Sequence, residues 1–259
     1  MAWDVATAAT VLLDAEDRRT DRSPITDEWP DLDLDTAYAV QDETLRRRLA
    51  RGEKLIGVKL GLTSMAKQKR MGIDVPLTAW LTDAMVLPAG VPVPQHDLIH
   101  PRVEPEIVFV MREPLQGPGV TADRALAAVD TVLGGLEIID SRYRDFRFTL
   151  PDVVADNSSS GMFVLGPVSM SPHEIDIVAE ECHVAVDRRD VDHATGAAVQ
   201  GSPAQALALA SNSLGRRGRR IEPGWIVLTG GMTDAVPAHP HSTIDIRFTN
   251  LGALHLNGE

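Results

Sequence analysis

Residues 100–110 read HPRVEPEIVFV, an apolar run interrupted by Glu104 and Glu106. Val, Ile and Phe in this density predict a strand, and side chains on a strand alternate between its faces. Glu104 and Glu106 therefore share one face, with Cβ atoms about 7 Å apart. Val108 and Val110 continue that face, so it turns apolar just beyond the pair. Two ionised carboxylates beside apolar surface repel and rise in pKa unless a cation neutralises them. The segment alone leaves two readings open: one solvated strand face, or a pair held together for a chemical reason.

Around this strand the chain is β-rich. Short apolar runs bounded by Gly, Pro and Asp follow one another after Gly52: KLIGVKLGL, AMVLPAGVPVP, RVEPEIVFVM, VLGGLEIID, GMFVLG, HVAVD, WIVLTGG, TIDIRFT and ALHL. Helical windows interrupt them near 64–70, 122–132 and 203–216. The N-terminal part differs. Residues 3–19 carry Ala8, Val11, Leu12 and Ala15 on one helical face. A Pro- and Asp-rich connector leads to a second helix over 36–51, with Asp33 or Asp35 near its N-cap and Gly52 after its end. Strands and helices do not alternate regularly, which predicts an α+β fold rather than a doubly wound sheet. The expected organisation is a helical region over 1–52 and a β-rich catalytic part over 53–259, integrated into one fold.

Composition narrows the functional classes. Of the 259 residues 44% are hydrophobic, ordinary for a globular chain. Acidic residues outnumber basic ones 37 to 25, a net charge of −12, which argues against nucleic-acid binding driven by phosphate neutralisation. The basic clusters RRRLAR and GRRGRR read as solvated faces. Cys182 is the single cysteine, so neither an intrachain disulfide nor a cysteine-based zinc site is available. No basic-then-apolar leader and no apolar run of about 20 residues is present, so the expectation is a soluble, cytoplasmic protein with no membrane partner.

A third carboxylate bears on the Glu104–Glu106 pair. Glu137 lies in LGGLEIIDSR, another short apolar strand, after a glycine pair that permits close backbone approach. Three carboxylates from two strands would make an oxygen-rich site suited to Mg²⁺ or Mn²⁺ rather than zinc. Spacing alone does not make those strands neighbours. Lys59 sits mid-strand between Val58 and Leu60, where a charge needs a partner. It is either an exposed strand lysine or a cation near an anionic substrate, and Gly57 and Gly61 beside it would let a ligand approach. The polar run Asp156, Asn157, Ser158, Ser159 and Ser160 reads as a loop or helix cap whose amides and hydroxyls could also hold a carboxylate. No G-x-S-x-G elbow is present, His100 before Pro101 reads as structural, and Cys182 among acidic neighbours is a poor nucleophile.

Taken in order, GVKLGLTS, LTDAMV, HPRVEPEIVFV, LEIIDSRY, DVVADNSSSGMFVLG and LTGGMTDAV resemble the 2-hydroxypentadienoate hydratase and 4-oxalocrotonate decarboxylase family, within the fumarylacetoacetate-hydrolase superfamily. The resemblance runs from about residue 37 to 254. It implies a rolled, mixed but mostly antiparallel β core of the fumarylacetoacetate-hydrolase type with flanking helices. It also implies homo-oligomers acting on a small 2-oxo acid, with a possible complex with the sequential hydratase or decarboxylase. The divalent metal, Mg²⁺ or Mn²⁺, would be held at positions matching Glu104, Glu106 and Glu137. Lys59 matches the active-site lysine. Asp83 and Asp156 match pocket segments and are the implied proton carriers. Leu62, Thr63, Asn157, Ser158 and Ser159 match substrate-binding positions.

Two chemistries share this family. The decarboxylase converts 2-oxo-3-hexenedioate to 2-hydroxypenta-2,4-dienoate, and the hydratase adds water to that product. The stretch DSRYRDFRF, with Tyr143, Phe146 and Phe148, looks more like the decarboxylase branch. No organic cofactor is implied. A non-catalytic subunit supporting a partner enzyme is the reading from a different class. One departure stands out: VPAHPHSTIDIRFTNLG places Pro240 and His241 where the family commonly has a Gly-Asp turn.

Overall fold

The computed structural model describes residues 2–259, leaving aside the side chains at 66, 67 and 70. Two helices open the chain. Helix α1 (Val5–Asp17) starts where the Asp4 carboxylate accepts from the Thr7 N–H at 2.7 Å, and α2 (Leu34–Ala50) where Asp33 does the same for Thr36. A short acceptor side chain at the N-cap satisfies one of the amides that a helix leaves unpaired, and so fixes the first turn. The apolar faces of both helices join Leu77, Tyr143 and Val153–Ala155 in one buried cluster.

Eleven strands and four more helices follow in the order β1 (Leu55–Gly61), α3 (Met65–Met71), β2 (Leu77–Thr82), β3 (Arg102–Met111), α4 (Ala122–Ala127), β4 (Val129–Ile139), α5 (Leu150–Ala155), β5 (Ser160–Met170), β6 (Glu181–Val186), β7 (Arg189–Thr195), α6 (Pro203–Arg216), β8 (Ile226–Gly231), β9 (Val236–Pro237), β10 (Thr243–Phe248) and β11 (Ala253–Asn257). One sheet runs β2-β1-β8-β3-β4-β5, with β9 paired to the start of β3; the other runs β11-β10-β6-β7. Every pairing is antiparallel except β1 with β8. The architecture is the expected α+β one, a mixed and mostly antiparallel β core with few helices. Its largest apolar cluster lies between the two sheets and α6, with Ile107, Phe109, Leu136, Leu207 and Ile246 at its centre.

Three local expectations need correction. The window 122–132 is not one helix: α4 ends at Ala127 and Val129 begins β4, because Val129, Thr131 and Val132 are β-branched and pair with β3. The run AMVLPAGVPVP forms no strand; Pro88, Pro92 and Pro94 lack the N–H a ladder requires, and only isolated bridges at Val86 and Val93 remain. Strands β2 and β7 were not expected. The second is a largely exposed edge with polar residues on both faces, so it carries no hydrophobic alternation to read.

Candidate metal centre and substrate cavity

The register of β3 against β4 places Glu104 directly opposite Glu137, and Glu106 opposite Gly135. Like charges facing each other across a ladder are destabilising in the absence of a cation. One oxygen from each of Glu104, Glu106 and Glu137 lies within 4.8 Å of the others. Glu106 is fully buried and Glu137 nearly so, while Glu104 is half-buried at the cavity wall. Val108, next on the same face, is packed among Leu81, Met85, Phe163 and Leu228. The strand face is therefore interior, and the solvated-face reading of the pair is excluded.

Glycines make room for the cluster. The Gly230 N–H donates to Glu106 Oε2 at 2.7 Å from a backbone with φ of +110°, a region that favours glycine. A Cβ on Gly231 would stand 2.8 Å from the Glu104 carboxylate, and one on Gly135 would stand 2.5 Å from Val108. The two Gly-Gly pairs of the sequence are thus where neighbouring strands approach these side chains.

Lys59 is the counter-cation. It lies on β1, which is separated from β3 by β8, and is 3% exposed. Its Nζ sits 2.5 Å from Glu137 Oε1 and donates to the Ser158 carbonyl at 2.9 Å. Lys59 thus meets a cluster in which three carboxylates converge. Burial, then the charge of Glu137, hold the Glu106 carboxyl well above the usual carboxylate range, with Lys59 pulling the other way. Burial and Glu104 likewise raise Glu137 against the opposing pull of Lys59. Glu106 Oε1 is buried with no hydrogen-bond partner among the described residues. An orphaned, buried carboxylate oxygen and three convergent hard donors fit a divalent cation.

Above this floor opens a cavity of 420 Å³. Lys59, Leu62, Thr63, Ser158 and Ser159 line it, together with Glu104. Leu62 has φ of +54°, and Asn157, Ser158 and Ser159 are three consecutive residues in the left-handed region. Non-glycine residues there are strained, and such strain gathers at sites where the surroundings over-determine it. Here the turn points the Ser158 carbonyl at Lys59 and sets the Ser158 hydroxyl where a Cβ on Gly61 would be. Gly61 thus admits Ser158, and Gly57 admits the Ile226 backbone; neither was kept small for a ligand.

Three expected site residues are employed elsewhere. Asp83 is exposed, its carboxylate accepting from the Lys54 N–H at 2.8 Å, and it does not line the cavity. Asn157 clamps β2, its amide accepting from the Trp80 N–H and donating to the Trp80 carbonyl, both at 2.9 Å. Asp156 is sealed in an ion pair with Arg142 and also accepts from the Arg142 N–H. Burial pushes the Asp156 carboxyl up to about 6, while the Arg142 guanidinium pulls it down. A carboxylate inside an apolar stretch reads the same in sequence whether it caps, pairs or reacts.

The cavity also has walls that the motif reading passed over. Arg102 and Asp234 supply charge at its rim, and Phe146, Phe148, Val153 and Ile139 supply apolar surface. Arg102 shares the parity of Glu104 and Glu106 in HPRVEPE, which was the available signal. The turn at Pro240 and His241 is exposed and closed by Ser242 donating to the His239 carbonyl, apart from the cavity lining. Cys182 is buried, and burial pushes its thiol up to about 12. Among the described residues no helix is long and apolar enough to cross a membrane.

The chain is 41% identical over 227 residues to a 4-oxalocrotonate decarboxylase of Pseudomonas sp. strain CF600, covering 88% of this chain and 86% of that one. It is 40% identical over 210 residues to a 2-hydroxypent-2,4-dienoate hydratase of Pseudomonas putida, covering 80% and 94%. The solved 4-oxalocrotonate decarboxylase from Pseudomonas putida G7, complexed with magnesium and adipate, superposes with a TM-score of 0.96 at 38% identity, covering 98% of this chain and 97% of that one. Residues 54–257 match the fumarylacetoacetate (FAA) hydrolase C-terminal model, and the chain belongs to that family.

Proposed function

We propose that this protein is a divalent-metal-dependent lyase that decarboxylates 2-oxo-3-hexenedioate to 2-hydroxypenta-2,4-dienoate in the catabolism of aromatic rings. The observation that carries the proposal is the Glu104–Glu106–Glu137 cluster, three carboxylates converging at the floor of a cavity that Lys59 also lines. Its 41% identical relative bears the decarboxylase name, and the superposable structure was solved with magnesium and a six-carbon diacid. Hard oxygen donors favour Mg²⁺ or Mn²⁺.

The bound ion supplies Lewis-acid polarisation of the C1 carboxylate and C2 carbonyl of a 2-oxo acid. Breaking the C5–C6 bond releases CO₂ and sends its electron pair through the conjugated chain toward the C2 oxygen. Lys59 lines the cavity as a buried ammonium, placed to stabilise that negative charge and to hold a proton for the enol oxygen. Neither Asp83 nor Asp156 is needed for this, since the reaction requires no proton at carbon. Glu137 and the Ser158 carbonyl fix the Lys59 Nζ position. Leu62, Thr63, Ser158 and Ser159 line the cavity beside Lys59, and Ile139, Phe146, Phe148 and Val153 supply its apolar wall.

The hydratase reading has its own support in the 40% identical relative, and the same polarised carbonyl would serve water addition to the dienoate. The deciding experiment supplies Mg²⁺-loaded protein with 2-oxo-3-hexenedioate and, separately, with 2-hydroxypenta-2,4-dienoate. Release of CO₂ from the first, with slow or no hydration of the second, is expected. Hydration without CO₂ release would assign the hydratase activity instead, and metal binding without turnover of either would mark a non-catalytic subunit.

A further inference from the structure

We propose that Arg102 receives the second carboxylate of a diacid substrate and is the residue by which this cavity selects diacids over 2-oxo monoacids; the inference rests on the 2-oxo acid reading above. Arg102 lies on β3 two residues before Glu104 and on the same face, its Cα about 6.7 Å further along the strand. That is of the same order as the separation of the two carboxylates in an extended six-carbon diacid. A substrate whose head sits over the glutamates thus has its tail within reach of the Arg102 guanidinium.

Two other cations near the site, among the described residues, already have partners. Lys59 is held by Glu137 and the Ser158 carbonyl at the head of the substrate, over the glutamates. Arg142 is buried and spends its guanidinium on Asp156 and the carbonyls of Asp140, Asp156 and Ser160. Arg102 lines the cavity, half-buried, and makes no ion pair or side-chain hydrogen bond among the described residues.

Arg102 is nevertheless held in place. Its guanidinium lies over the Phe146 ring, 4.2 Å from the centroid, and His100 packs against that ring at 4.9 Å. Phe146 and the preceding Asp145 both have φ in the left-handed region, at 54° and 58°. Two adjacent non-glycine residues there cost energy, and the strained turn is what delivers the ring beneath the guanidinium. Stacking on an aromatic face leaves the planar N–H fork free along its edge, the geometry with which arginine takes a carboxylate by two parallel hydrogen bonds. Asp140 anchors the approach from behind, its carboxylate accepting from the Ile99 and His100 N–H groups at 2.9 and 2.7 Å.

The test is calorimetric titration of the Mg²⁺-loaded protein with 2-oxohexanedioate and with 2-oxopentanoate, which share the chelating head and differ in the terminal carboxylate. Wild type is expected to bind the diacid at least about tenfold tighter, the scale of a charge-assisted pair. Arg102→Met and Arg102→Gln should each erase that preference while leaving the monoacid affinity unchanged. A variant that weakens both acids alike, or that keeps the preference, overturns the assignment; two variants guard against one failing to fold. Equal binding of both acids by wild type overturns the role of Arg102 and spares the 2-oxo acid reading. Binding of neither acid removes that reading itself.

Discussion

Two of the buried charged groups of this molecule make an instructive contrast. Behind the cavity, Asp156 and Arg142 are both sealed from solvent and neutral as a pair, and the carboxylate collects further donors from the Ser141 and Ser159 hydroxyls at 3.4 Å. At the cavity floor, Glu104, Glu106 and Glu137 converge beside Lys59, and a buried Glu106 oxygen has no hydrogen-bond partner among the described residues. Both consist of ordinary ionisable residues in apolar surroundings. The first is complete as folded and can only lose by change. The second is complete only with a cation, which is what separates a structural ion pair from a site. The difference lies in satisfaction rather than in burial or residue type.

This contrast can be broken from either side. The largest expected effect is on the sealed pair: Arg142→Met should destabilise the fold by about 3–5 kcal/mol in denaturant titrations, since it strands a buried carboxylate. Added Mg²⁺ should not restore that loss beyond what it gives wild type. Glu106→Gln is expected to do the reverse, lowering CO₂ release at least about a hundredfold while the metal-free protein stays as stable as wild type or gains slightly. A large stability loss in Glu106→Gln would mean that the floor, too, is structural. Lys59→Met should reduce kcat by about a hundredfold, the scale of one lost electrostatic or proton-transfer partner, and weaken metal binding far less. A purely structural lysine would show instead as a lowered melting temperature with kcat kept. The smallest effects belong outside both groups. Asp83→Asn should leave kcat within about a factor of two, because surface substitutions away from such features act weakly. Cys182, buried with its thiol at about 12, should resist alkylation at neutral pH in the native protein and react once it is unfolded.

What was legible in the sequence follows the range of the interactions concerned. Alternation is local, so the shared face of Glu104 and Glu106 could be read directly, and an N-cap could be narrowed to Asp33 or Asp35, of which Asp33 serves. The meeting of Glu104 with Glu137 depends on register across some thirty residues, and that of Lys59 with Glu137 on a sheet order that inserts β8 between β1 and β3. No periodicity encodes either; resemblance to a known family implied the three-glutamate set and an active-site role for Lys59, but not the Lys59–Glu137 pair. Family matching in turn carried over Asp83, Asp156 and Asn157 without their hydrogen bonds, which occupy them with Lys54, Arg142 and the Trp80 backbone. Arg102 escaped notice because it borders a motif rather than belonging to it, although its parity with the glutamates was in plain view.

The central claim is that the three glutamates form a cation site and not merely an acidic cluster. Titration of metal-free protein with Mn²⁺, read by calorimetry and by the melting temperature, tests it most directly. The expected result is one saturable site per chain that raises the melting temperature, with both signals lost in Glu106→Gln and retained in Asp83→Asn. Equal affinity and equal thermal shift in wild type and Glu106→Gln would contradict it.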